Sequence, residues 1–219
     1  MSLFDIDLVE LYSDIARDAL VTEINNRYPD LNGTITATNL EDHISSDIIN
    51  AWVHAYVAAY AYEQFQYSGG NPELNIQLIG YIKELIEFEG DADHLRDLHN
   101  NMQGLNIYLD IPDPSLEGQS KMPDFSRQLY DDLFGYDPNN PFAGSPDTGL
   151  AIEKDDPRLS PIETAKEIIK VLSDIGKGTG NISKVKKDYN TAKKTTPRII
   201  DPLIIDLNGN GIETTTLNK

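Results

Sequence analysis

Residues 46–66, SDIINAWVHAYVAAYAYEQFQ, decide the fold class. Ile49, Trp52, Val53, Tyr56, Val57 and Tyr60 recur at intervals of three and four, the spacing of one face of an α-helix. Ala51, Ala55, Ala58 and Ala59 keep another part of the surface small, so a neighbouring helix can approach closely. Ser68-Gly69-Gly70-Asn71-Pro72 ends the run. A helix that is apolar on one side and small on another belongs at the centre of a bundle, so the flanking sequence should supply partner helices.

It does so on both sides. Upstream, residues 5–26 carry Leu8, Leu11, Tyr12, Ile15, Ala19 and Leu20 at helical spacing. A turn follows at Tyr28-Pro29-Asp30 and Asn32-Gly33. Thr34-Ile35-Thr36-Ala37 reads as a short isolated strand, and Thr38 with Glu41 has the spacing of a capping box that would start another helix. Downstream, helices are expected over 74–88 (Ile76, Ile79, Ile82, Leu85), 91–109 (Leu95, Leu98, Met102, Leu105) and 124–134 (Phe125, Leu129, Leu133). Residues 135–160 are rich in Gly, Pro, Asp and Asn and read as a long loop. Ser160, Pro161 and Glu163 then open a helix that Gly176 stops.

The expected fold is therefore mainly α. A compact multi-helix domain over 1–135 is followed by a loop over 136–160, a helix over 161–176, a basic linker over 177–200 and an extended C-terminal tail over 201–219. Seven of the eighteen Lys and Arg fall in 177–198, with Asp188 the only acid there. A solvated linker is the plainer reading of that stretch, and a basic arm lying on an acidic domain is the sharper one. The paired acids Asp131-Asp132 and Asp155-Asp156 read as solvated surface charges.

Composition narrows the function. The formal net charge is −18, which disfavours nucleic acid and anionic membranes and suits divalent cations. There are no cysteines, so thiol catalysis, disulfides and cysteine-bound zinc are excluded. No stretch approaches the eighteen apolar residues of a membrane span. The N-terminus, MSLFDIDLVELYSD, is acidic and lacks the layout of a cleavable signal peptide. The chain is expected either to stay in the cytoplasm or to leave by a route that reads no N-terminal signal.

The C-terminal stretch 201–215, DPLIIDLNGNGIETT, is the most specific motif. Asp206, Asn208, Asn210 and Gly211 follow the first half of an EF-hand-like loop, D-x-[DN]-x-[DN]-G. Oxygens at alternate positions converge on a hard cation, Gly permits the sharp turn, and the backbone carbonyl of Ile212 adds a ligand. Leu203-Ile204-Ile205 would form a short buried strand that anchors the loop. The second half departs from the pattern: Leu217 occupies the position of the bidentate Glu. Two of the three side-chain ligands are neutral Asn, so calcium affinity should be weak or absent in this chain.

This stretch closely resembles the DPLxLDLDGDGIET segment of RTX-type exoproteins, nearest to the FrpC-like iron-regulated group. LYSDIARDAL (11–20), NNRYPDLNG (25–33), INAWVHAY (49–56) and RDLHNN (96–101) resemble the upstream part of the same proteins more loosely. The resemblance implies a helical region followed by a self-processing module. Calcium folds that module, the bond between Asp and Pro is cut, and the new carboxyl end is joined to a lysine amine. Asp201-Pro202 is then the scissile bond. The resemblance also implies type I secretion from the cytoplasm to the bacterial surface or beyond, and an outer-membrane lipoprotein as partner. Because most of that module is absent from this sequence and the loop is Asn-substituted, the chain alone is expected not to cleave.

A second candidate site involves histidine. Asp47, Ala51 and His54 share a helical face, and Arg96, Asp97, His99, Asn100 and Asn101 cluster in RDLHNN. This pairing of helices resembles an uncharacterised domain of bacterial secreted and toxin-like proteins. If the two helices pack, His54 and His99 would face each other across an Ala-lined groove, with Asp97 or Asp47 orienting one ring. That is an acid–base pair or part of a metal site. The plainer reading, hydrogen-bonded structural histidines, carries more weight. No HExxH, phosphate-binding Gly-rich loop or GxSxG elbow is present. Three functions remain open: a binding or anchoring segment of a secreted RTX-like, virulence-associated calcium-binding protein; a helical toxin or hydrolase domain using His54 and His99; and a non-catalytic soluble helical domain.

Overall fold

The computed structural model describes residues 6–67, 92–114, 119–135 and 142–159. The expected helices over 74–88 and 161–176, the basic linker and the tail over 201–219 lie outside them. The described residues are mainly α, with four α-helices and no strand among them. They are α1 (Ile6–Arg27), α2 (Ser46–Tyr67), α3 (Ala92–Asp110) and α4 (Met122–Phe134). Two short 3-10 turns, Pro29–Leu31 and Leu40–Asp42, join α1 to α2.

Helix α2 is the centre. Its aromatic and branched face and its alanine face are both covered: Trp52, Ala51, Ala55 and Ala59 have no exposure, and Ile49 and Ala58 have almost none. Helix α3 lies against the alanine side, and the contact is as close as helices come. A Cβ built on Gly104 of α3 would stand 2.2 Å from the Ala55 carbonyl oxygen and 2.5 Å from its Cα. Glycine on one helix and alanine on the other are therefore what let these backbones touch. On the remaining sides, Trp52 donates its indole N–H to the Ala16 carbonyl of α1 at 2.7 Å. Rings from α2, α3 and α4 form a continuous aromatic seam: Trp52 stacks on Tyr56, Tyr56 meets Phe125, and Phe125 meets Tyr108 edge-on.

Helix α1 presents Ala16, Leu20 and Ile24 to the core, one turn apart, while Leu11 faces outward. The expected strand at 34–37 is absent because local polar groups bend the chain. The Asn39 side chain accepts from the Thr36 N–H at 2.7 Å and donates to the Thr34 carbonyl at 2.9 Å. Asn39, not Thr38, precedes the 3-10 turn, and Glu41 turns away to pair with Arg17 at 2.9 Å. The capping box therefore does not form. Helix α4 starts two residues early, at Met122. Its N-terminus is capped from a distance: the buried Glu63 carboxylate of α2 accepts the Lys121 N–H at 2.7 Å, the Ser120 hydroxyl at 2.8 Å and the Tyr108 hydroxyl at 3.0 Å. Gly135 ends α4 with φ of 61°, a positive value that glycine adopts without a Cβ penalty.

The loop after α4 is not a free connection. Residues 142–159 have no regular structure, yet Leu150 and Ala151 are fully buried. Phe142 meets the Tyr28 ring edge-on, and Ser145 donates its N–H to the Leu133 carbonyl at 2.7 Å. The segment then runs as a strap over α4 and α3, so the helical body extends past residue 135 to take in the strap.

Candidate functional site

Of the polar residues singled out in the sequence, Asp47 and His54 of α2 and Arg96, Asp97 and Asn101 of α3 lie where α2 faces α3. The 47/54 face of α2 and the 93/96/97 face of α3 turn toward each other because the Ala55–Gly104 contact brings the helices together. The Arg96 guanidinium, buried at 7% side-chain exposure, reaches Asp47 of α2 at 3.0 Å, Asp93 at 3.2 Å and Asp97 at 3.4 Å. Asp97 also accepts from the Asn50 amide at 2.9 Å. It stands 3.4 Å from Nε2 of His54, whose Nδ1 lies 3.3 Å from the side-chain oxygen of Asn101.

His54 and Asp97 are thus brought together as the sequence suggested, and Asp47 serves Arg96 instead. Burial pushes the His54 imidazole below its ordinary value, and the Arg96 cation acts in the same direction. Asp97 and the hydrogen bond to Asn101 oppose the shift. A neutral ring carries one N–H, which Asp97 can accept; a protonated ring donates to Asp97 and to Asn101 together. Both ring nitrogens thus face oxygen acceptors on α3, of which the neutral ring can satisfy one and the protonated ring both. The arrangement joins α2 to α3.

His99 has a different environment. Its Nε2 meets the Gly149 carbonyl at 2.9 Å, on the strap. Asn100, with no exposure, does the same work twice: its amide donates to the Ala151 carbonyl at 2.8 Å and its oxygen accepts the Ala151 N–H at 2.7 Å. From α4, Asp132 accepts the Thr148 hydroxyl at 2.8 Å and the Gly149 N–H at 3.1 Å. Arg158 folds back to donate to the Thr148 and Leu150 carbonyls, both at 2.8 Å, and pairs with Asp156. That pairing holds the Asp156 carboxyl below the usual range. Asp132 and Asp156 are therefore fastenings of the strap rather than solvated charges. Asp131 pairs with Arg27 at 2.6 Å.

The two histidines expected to face each other thus have different partners, one between the helices and one on the strap. Among the described residues, no group of three or more His, Asp or Glu side chains is placed to hold a metal ion. The expected calcium ligands Asp206, Asn208, Asn210 and Ile212, and the bond Asp201-Pro202, lie outside the described residues. Sequence reasoning missed Asn50, the role of Asn100 and the role of Asp132. Asn50 sits one turn before His54 and was open to discovery. The partners of Asn100 lie 51 residues away in a stretch with no periodicity, so nothing local marked them. Comparison with family models, with curated proteins and with solved structures finds no match. Among the described residues, no helix is long and apolar enough to cross a membrane.

Proposed function

We propose that the chain is a helical binding or anchoring segment of a secreted, RTX-like calcium-binding protein, followed by a calcium-dependent processing junction. The observation that carries this reading is DPLIIDLNGNGIETT at 201–215. On this reading Asp206, Asn208, Asn210 and the Ile212 carbonyl offer oxygens to calcium, weakly because two ligands are neutral. Asp201-Pro202 is the bond to be cut. The Asp201 side-chain carboxylate attacks its own backbone carbonyl carbon, the C–N bond to Pro202 breaks, and the proline nitrogen leaves with a proton. The cyclic anhydride so formed is opened by water or by a lysine amine. The gain comes from holding nucleophile and carbonyl in one residue.

The helical body supports a binding role over a catalytic one. RDLHNN commits polar groups to the α2–α3 contact and to the strap, and both His54 nitrogens face side chains of α3. The partner is a protein, and an outer-membrane lipoprotein is the one the resemblance favours. The net charge of −18 suits a protein that meets calcium outside the cell. Calorimetric titration of the whole chain with calcium tests the junction. Weak, millimolar-range heat is expected for the wild type and none for Asp206→Ala. Identical traces for the two would remove the ion from the account.

A further inference from the structure

The strap carries an inference that does not depend on the calcium junction. Its hold on the helical body is mainly a hold on main chain. His99 meets a carbonyl, Asn100 exchanges two hydrogen bonds with the main chain of one residue, and Asp132 takes an N–H. The reciprocal Asn100–Ala151 pair imitates the exchange between paired strands, with a side-chain amide in place of a second backbone. Side chains are read as well, Ala151 being fully buried and Lys154 pairing with Asp93 of α3 at 2.6 Å. The Thr148 hydroxyl goes to Asp132, and Leu150 is fully buried in the core.

A surface that reads backbone at two alternate residues, Gly149 and Ala151, and buries the aliphatic side chain between them suits an extended peptide. We propose that the face of α3 and α4 formed by His99, Asn100 and Asp132 is a peptide-binding site, occupied in cis by the chain's own Thr148-Gly149-Leu150-Ala151. The partner it fits is an extended protein segment of the type Thr-Gly-aliphatic-small, which would bind by displacing the strap. Tethering explains why the site is filled: a segment on the same chain is present at an effective concentration that a free partner must exceed. Arg158 strengthens the closure, because its described hydrogen bonds all run within the strap.

Fluorescence anisotropy with a labelled peptide of residues 145–158, SPDTGLAIEKDDPR, tests this. Two variants release the strap and leave the site intact: Ala151→Pro removes the N–H that Asn100 accepts, and Leu150→Asp places a charge in the apolar hole. Arg158→Ala is a milder third, for use should both of those fail to fold. The released variants should bind the peptide at least about tenfold more tightly than wild type. Adding Asn100→Ala should weaken that binding about thirtyfold, as expected for two net hydrogen bonds. The proposal is overturned if released variants with wild-type helical circular dichroism bind no better than wild type. It is equally overturned if their binding is indifferent to Asn100→Ala.

Discussion

Replacing Gly104 by Ala tests how the two central helices meet. Alone, the change favours a mid-helix position by about 1 kcal/mol. Here the added Cβ would lie 2.2 Å from the Ala55 carbonyl oxygen, where an ordinary contact begins near 3.4 Å. The obstacle is the backbone of α2, which has no rotamer to change, so the helices must separate by about an ångström. Overpacking of this kind costs about 1–3 kcal/mol, and a rigid backbone neighbour puts this site at the upper end. The net expectation is a loss of about 2 kcal/mol after the propensity gain is subtracted. With a urea dependence of about 2 kcal/mol per molar, the unfolding midpoint of Gly104→Ala should fall by about 1 M. A midpoint equal to wild type or higher would show that α2 and α3 do not approach as described.

Two other positions give sharp expectations. Glu63→Gln keeps the shape but replaces a carboxylate that accepts from Tyr108, Ser120 and Lys121, so it should lose about 1–3 kcal/mol in urea unfolding. Equal stability would show that this distant cap on α4 contributes nothing. For His54, burial holds the folded-state value below the ordinary 6.5, so unfolding takes up a proton. Its contribution is fully present above about pH 6.5 and is lost as pH falls through the depressed folded value. Stability measured from about pH 7 to pH 5 should therefore fall more steeply in wild type than in His54→Gln. Parallel curves would mean that the ring titrates alike in both states.

Periodicity carried much of the architecture because the main forces are local in sequence. The alanines of 46–66 announced a close helix neighbour, and the Ala55–Gly104 contact is that approach, with Gly104 as the half the pattern did not mark. His54 and Asp97 were legible for the same reason: each lies on a face that the pattern fixes. What escaped was long-range and polar. Nothing near Leu133 foretells that Asp132 fastens a strap. A Gly- and Pro-rich stretch such as 142–159 looks like linker until the partners of its backbone groups are known. The different partner of His99 follows from this. Both sit on helices in contact, but the strap gives His99 its own partner at Gly149. At 34–37, β-branched residues suggested a strand, and one asparagine at position 39 was enough to bend it into turns.

The proposed function assigns calcium to the C-terminal stretch 201–215, while the contacts of His54 and Asp97 lie between two helices of the body. A calcium titration of the isotopically labelled whole chain, followed by amide and imidazole NMR signals, tests both halves together. The account predicts that signals from Asp206 to Glu213 shift in wild type and stay still in Asp206→Ala, while those of His54 and His99 do not move in either. Still signals over 206–213 in wild type, or movement centred on His54 and Asp97, would contradict it.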